Sequence, residues 1–202
     1  MRIVLATHNR HKVEEMRAIL ADSSDDLTDR FEILSLEDFP EIGEIIEDGA
    51  TLEENARKKA RTVFEKTLLV SLADDTGLEV DSLGGRPGVY SARYSGKGAS
   101  YLKNNQKLLK ELSGVPTSKR SATFRCVISI IGDNIDEIAV GEVKGKIGSE
   151  MRGENGFGYD PLFIPDGYEI TYAEIGSKIK NRISHRSLAL EQAKTILRQL
   201  VS

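Results

Sequence analysis

Two adjacent carboxylates, Asp74 and Asp75, follow the apolar run Leu68 to Ala73 and precede Thr76 and Gly77. Carboxylates delivered by a buried strand can hold a divalent cation or take a proton from water. Neighbouring strand side chains point to opposite faces, so the two aspartates are expected to do different jobs. One would face a ligand, and the other would be solvated or paired elsewhere. The same residues also spell an ordinary Asp-Asp-Thr-Gly turn closing a strand, and on their own they decide neither way.

Four further groups could share a ligand with that pair. Thr7-His8-Asn9-Arg10-His11-Lys12 lies between an apolar run and a helical pattern. Free N–H groups and the dipole at a helix start favour an anion. Thr7 or Asn9 can serve as a simple N-cap. Lys12 in the first turn, however, opposes the dipole unless something negative lies nearby. No glycine-rich run precedes a Gly-Lys-Ser/Thr, so this is not a P-loop. In Arg57-Lys58-Lys59-Arg61 the plain reading is a solvated face, and the sharper one turns a single lysine inward. Asn55 and Lys59 share a helix face. Phe157 stands between Gly156 and Gly158, ahead of Tyr159, Asp160 and Pro161. A ring held there suits stacking on a flat heteroaromatic ligand, or else tucks under its loop. Lys178, Lys180, Arg182, His185 and Arg186 concentrate donors in an otherwise acidic chain. Cations for phosphates, carboxylates for a metal and a ring for a base together describe a nucleotide site.

The elements that must position these groups follow from periodicity. Residues 3–6 read as a buried strand, 7–9 as a turn and 12–20 as a helix. A polar loop over 21–30 leads to a strand at 31–36 and an acidic segment at 37–48. Thr51-Leu52-Glu53-Glu54 is a capping-box pattern opening a helix through about Glu65. The strand ending at the aspartates is followed by a glycine-punctuated loop, 84–96, and a helix over 99–112. Strands at 121–131 and 137–147 join through Gly132-Asp133-Asn134. A glycine-rich loop at 150–160, a short strand at 162–165, the basic cluster and a helix over 187–201 complete the chain.

With 202 residues, 39% apolar and 30% charged, the chain suits one sizeable domain, or one domain with two lobes around a cleft. A net charge of −4 argues against a nucleic-acid partner. No run is long enough to span a membrane, and the first residues lack a signal-peptide pattern. The expected location is cytoplasmic. Cys126, the single cysteine, excludes an intrachain disulfide and reads as a buried, inert thiol.

Four motifs together resemble the inosine triphosphate pyrophosphatase family over essentially the whole chain. They are Ala6-Thr7-His8-Asn9 with Lys12; Ala73 to Leu78 running on to Pro87-Gly88-Val89-Tyr90-Ser91-Ala92-Arg93-Tyr94; Gly156 to Pro161; and Ser184-His185-Arg186. The resemblance implies a single α/β domain, residues 1–202, with a long curved mixed sheet and helices forming two lobes around a central cleft. It implies a homodimer that splits ITP, dITP or XTP into monophosphate and pyrophosphate, with Mg²⁺. It also assigns roles. Thr7, His8, Asn9, Arg10, His11 and Lys12 line the triphosphate, and Asp75 is proton acceptor and metal ligand with Glu47 as second metal ligand. Asn55, Lys59 and Thr76 are substrate contacts. Phe157, Gly158, Tyr159 and Asp160 form the base loop, and Lys180, His185 and Arg186 complete the base contacts. The family commonly has glycine where this chain has His8, and glycine tolerates conformations that histidine resists. Lys178 has no counterpart. Two other readings are a Maf-like pyrophosphatase for modified or pyrimidine nucleotides and a nucleotide-binding module without hydrolysis. The Phe157 loop and Ser184-His185-Arg186 weigh against the first, and the uncompensated carboxylate pair against the second.

Overall fold

The computed structural model describes residues 1–21 and 31–200. Most of the loop read at 21–30, and Val201 of the terminal helix, lie outside the described residues.

The described chain is α/β, as expected. A seven-stranded mixed sheet has the order β2-β1-β3-β5-β6-β7, with β4 pairing on β3. Strand β1 (Arg2–Leu5) runs parallel to both β2 (Glu32–Ser35) and β3 (Val70–Val80), with Ile3 opposite Ile33 and Val70. Parallel neighbours need crossovers. Helix α1 (Arg10–Ala21) supplies the first and α2 (Leu52–Thr67) the second. Strands β5 (Ser121–Gly132) and β6 (Ile135–Ile147) are joined by Asp133 and Asn134 alone, a connection only an antiparallel pair permits. Three further helices, α3 (Tyr101–Glu111), α4 (Ser177–Ile183) and α5 (His185–Gln199), complete the described helices.

The chain divides into two compact units. The first comprises Met1–Asp75, Cys126–Gly141 and Arg186–Ser202, the second Thr76–Arg125 and Glu142–His185. In the first, the sheet is buried on both faces, which is why β1 reads as an unbroken apolar run. Ile3, Leu5 and Leu72 pack with Met16 and Ile19 of α1 and with Ala189, Leu190 and Ala193 of α5. Val4, Ala6 and Ala73 pack on the other side with Ala60 and Val63 of α2. Helix α2 starts where Thr51 Oγ1 accepts the Glu54 amide, while the Glu54 carboxylate accepts from Ala50. The capping box is thus shifted by one residue in its second half.

In the second unit, Leu78 and Val80 join Leu108, Leu112, Phe124, Phe163 and Tyr172 in one apolar cluster. Strand β4 (Pro87–Gly88) pairs antiparallel with Leu78 and Glu79, and β7 (Phe163–Pro165) with Gly145 to Ile147.

Three expectations need correction. The strand does not end at the aspartates. β3 continues through Thr76 and Gly77 to Val80, because Leu78 and Val80 still have an apolar cluster to enter. The stretch 84–96 is not simply a loop, since it holds β4 and a 3₁₀ turn at Ser91–Arg93. The basic cluster is not an open approach to a helix. Lys178, Lys180 and Arg182 lie on α4, which the pattern did not suggest, and His185 and Arg186 already belong to α5.

Candidate active site

Strand alternation sorts the paired aspartates. Leu72 faces α1 and α5, so Asp74, two residues on, faces them too, while Asp75 follows Ala73 toward α2. Each finds different partners there. Asp74 is fully buried, with Oδ2 accepting from Lys12 Nζ at 3.0 Å and from Arg186 Nη2 at 3.1 Å. Arg186, itself buried, donates its other terminal nitrogen to Glu15 Oε2 at 2.5 Å. Lys12 and Glu15 sit three apart on α1, and Arg186 comes from the first turn of α5.

On the opposite face, Asp75 Oδ2 accepts from Asn55 Nδ2 at 3.1 Å, and Oδ1 lies 3.3 Å from Lys59 Nζ. The same ammonium reaches Glu47 Oε1 at 2.5 Å and the Asp74 carbonyl oxygen at 2.6 Å. Of the basic run on α2, Lys59 alone turns inward and is buried. Arg57 and Arg61 pair with Asp136, and Lys58 with Asp48, at the surface. Glu47 reaches Lys59 because the chain presses against the start of α2 at Gly49. There the Gly49 amide donates to Asn55 Oδ1 at 2.8 Å, and a Cβ would collide with that same oxygen and with Glu54.

Burial raises both aspartates, yet the outcomes diverge. At Asp74, Lys12, Arg186 and Lys59 outweigh burial and hold the carboxyl well below the usual range. At Asp75 burial prevails over Lys59 and Lys12, Glu47 adds repulsion, and the carboxyl is raised. Burial lowers the Lys59 ammonium, but Asp75, Asp74 and Glu47 more than offset it and its pKa is raised. Asp74 is thus held as an anion by its cations, while burial lifts the Asp75 carboxyl above its ordinary value.

Among the described residues, no group of three His, Cys, Asp or Glu side chains is disposed to cage a metal ion. That donor set still suits Mg²⁺, which typically keeps several waters and takes one or two carboxylates plus substrate phosphate oxygens. Glu47 and Asp75, already bridged by one cation, are two such carboxylates.

The Thr7–Lys12 turn is internally tied. Thr7 Oγ1 accepts the Asn9 amide at 3.2 Å, and Asn9 Oδ1 accepts the Lys12 amide at 3.4 Å, as an N-cap. His8 keeps a negative φ, so the glycine conformation is not required, and its Nε2 contacts the Gly43 carbonyl. Arg10 pairs with Glu37 in an exposed bridge, and His11 is exposed.

The second unit holds the residues expected to form the base loop. The Phe157 amide donates to Asp160 Oδ2 at 2.8 Å, and Lys180 Nζ reaches the same oxygen at 2.5 Å. That ammonium lies 5.0 Å from the centre of the half-buried Phe157 ring. Gly156 has φ +73°, and a Cβ there would overlap the Asp160 carboxylate. His185 is buried and stacked on Phe124, with centroids 4.4 Å apart. The Tyr159 hydroxyl donates to the Ser91 carbonyl at 2.9 Å. Thr76, half-buried, follows Asp75 on β3.

Sequence reasoning did not single out Glu15 or Gly49. Glu15 was signalled only by its i, i+3 spacing from Lys12, and Gly49 by nothing local.

Residues 3–196 match the model of the Ham1 family. The chain belongs to that family. Its Ham1 relatives include proteins named dITP/XTP pyrophosphatase. The one from Desulforamulus reducens is 46% identical over 201 residues, covering 99% of this chain and 97% of the relative. The one from Geobacter sulfurreducens is 50% identical over 190 residues, covering 94% and 92%. The Ham1 protein structure from Coxiella burnetii superposes with TM-score 0.86 at 40% identity, covering 98% of this chain and 99% of that one. The Staphylococcus aureus Ham1 protein gives TM-score 0.84 at 34% identity, covering 98% and 99%. Ham1 membership agrees with the family expected from the four motifs.

Proposed function

We propose that this Ham1 family protein hydrolyses deaminated purine nucleoside triphosphates (ITP, dITP and XTP) between the α and β phosphates, releasing pyrophosphate. The observation that carries the reading is the placement of Asp74 and Asp75 on opposite faces of β3, Asp74 against Lys12 and Arg186 and Asp75 against the buried Lys59 and Asn55. It supplies a doubly paired buried anion, a second carboxyl raised by burial, and a buried cation within one residue pair and its neighbours. The names of the relatives point to the same chemistry.

Phosphoryl-type transfer depends on positioning and charge more than on covalent chemistry. In the proposed mechanism Asp75 takes a proton from the attacking water, a contribution typically of about 10²–10⁴-fold. Lys59 and Lys12 face the charge that develops on the pyrophosphate leaving group. Arg186 holds Asp74 ionised, and Asp74 in turn fixes Lys12. Glu47 and Asp75 would hold Mg²⁺, which when bound neutralises phosphate oxygens. The segment Thr7 to Lys12 takes the phosphates, with Asn55 and Thr76 as polar contacts. Phe157 stacks on the purine within the loop it forms with Gly158, Tyr159 and Asp160, while the His185 ring is stacked on Phe124. Lys180 offers a donor to a 6-oxo group. Adenine presents an amino group to that donor, and an unpaired buried polar group costs about 1–3 kcal/mol, which biases the site against ATP.

The test is pyrophosphate release from ITP, XTP, GTP and ATP with Mg²⁺. Faster turnover of ITP and XTP, with pyrophosphate as first product, is expected. Equal rates on all four, or orthophosphate as first product, would sink the reading. A homodimer is a proposal carried by the family resemblance. Among the described residues no helix is long and apolar enough to cross a membrane.

A further inference from the structure

We propose that helix α3 is a positioning element for the purine-facing loop, with Tyr101 and Asn105 holding Phe157 and Gly158 in the geometry that discriminates between bases. The proposal rests on the reading of Phe157 as the stacking ring.

Tyr101 and Asn105 are four residues apart on α3 and so share one face. Asn105 Nδ2 donates to the Gly158 carbonyl at 2.8 Å. The Tyr101 ring lies 5.9 Å from the Phe157 ring, centre to centre, tilted by 41°. The loop needs outside restraint, because Phe157 is flanked by two glycines in left-handed conformations, Gly156 at φ +73° and Gly158 at φ +65°. Neither has a side chain to restrain the backbone. Asp160 restrains the Phe157 amide from within the loop. Tyr101 and Asn105 restrain the ring and the carbonyl that follows it from outside the loop.

Asn105 is poorly explained as a stabilising residue. It is 2% exposed, yet its Oδ1 has no hydrogen-bond partner among the described residues. One bond made and one buried acceptor left unmade give little or no net stability. An apolar residue of similar size would serve the same helix, which buries Leu108 a turn later, at lower cost. What the amide uniquely provides is a donor aimed at Gly158.

The helix is itself firmly seated. Asn104, next to Asn105, donates to the Ser91 and Ala92 carbonyls at 3.2 and 3.0 Å and accepts the Ser95 amide at 2.8 Å. Tyr159, next to Gly158, donates to the same Ser91 carbonyl. Loop and helix are thus referred to one fixed point, so a contact between them transmits position.

The experiment measures kcat and KM for ITP and for ATP, together with the melting temperature, in the full chain and in Asn105→Leu, Tyr101→Ala, Tyr101→Phe and Phe157→Ala. Asn105→Leu and Tyr101→Ala are expected to raise KM for ITP about tenfold, part of what an aromatic–base stack contributes. The ITP-to-ATP ratio of kcat/KM should fall with it, while kcat on ITP changes less than about twofold. Asn105→Leu should melt no lower than the parent, and Tyr101→Phe, which keeps the ring, should restore KM. A parental KM and ratio in both Asn105→Leu and Tyr101→Ala, while Phe157→Ala lowers the ratio, overturns this inference alone. A fall of kcat on both nucleotides in step with a lower melting temperature also overturns it, because that is a purely structural role. A parental ratio in Phe157→Ala overturns the base-stacking reading and this inference with it.

Discussion

Asp74 and Asp75 are the same residue type in adjacent positions, and the structure predicts opposite consequences for the same substitution. Asp74→Asn removes the carboxylate that pairs with both Lys12 and Arg186, a guanidinium that is 1% exposed. Taking one partner from a buried pair strands the other charge and costs about 3–5 kcal/mol. That is a large share of a total stability of about 5–15 kcal/mol. With a urea slope of about 2 kcal/mol/M, the unfolding midpoint should drop by about 2 M at unchanged slope. Asp75→Asn should behave otherwise. Its carboxyl is raised by burial, so the folded protein gains little from its charge. Stability should stay within about 1 kcal/mol of the parent, as for a change that leaves no large defect. Turnover of ITP should instead fall about 10²–10⁴-fold, with nucleotide binding still measurable by calorimetry. Equal stability losses in the two variants, or a larger loss in Asp75→Asn, would refute the division of labour. So would an unchanged kcat in Asp75→Asn.

Three other outcomes follow from single features. Gly156→Ala places a Cβ in the Asp160 carboxylate at φ +73°, and should cost about 1–3 kcal/mol and raise KM for ITP in steady-state assays. Chelation by EDTA should abolish pyrophosphate release and leave the melting temperature unchanged, because no three-ligand cage exists among the described residues to couple metal to folding. Burial and the bond to Glu111 push the Tyr94 hydroxyl from 10.0 up to about 12. The folded state holds that proton more tightly than the unfolded one. This stability is therefore fully present below pH 10.0 and lost as pH rises to about 12. Tyr94→Phe should flatten that part of the urea-measured stability profile relative to the parent.

Much of the fold was legible because periodicity reports burial. Ile3 to Ala6 read as a buried strand, and α2 was visible from Thr51 and its apolar stripe. The missed helix, α4, is a seven-residue segment, Ser-Lys-Ile-Lys-Asn-Arg-Ile, with no N-cap side-chain bond and one exposed isoleucine. Tertiary pairing makes it a helix, and pairing is invisible to a local pattern. The same limit applies at the site. Lys59 looks like its basic neighbours until Asp75 and Glu47 are brought to it. Arg186 looks like a surface cation until Asp74 and Glu15 are seen around it. The continuation of β3 past Gly77 was missed because Asp-Thr-Gly carries turn chemistry. The apolar pockets that receive Leu78 and Val80 come from residues far along the chain.

The alternation of β3 also says something about how this site could change over generations of sequence. Which aspartate sits among the α2 residues depends on whether its position is odd or even counted from Leu72, not on anything intrinsic to the residue. A one-residue deletion before the pair would exchange the two seats without altering either side chain. It would also turn Leu72 and Ala73 onto each other's faces, where their volumes no longer match the helices they meet. The apolar residues ahead of the pair thus act as an error check on the chemistry. A frame that misplaces Asp75 also misfits the core, so the lesion announces itself as failure to fold before it can persist as a folded protein with the wrong aspartate beside Lys59.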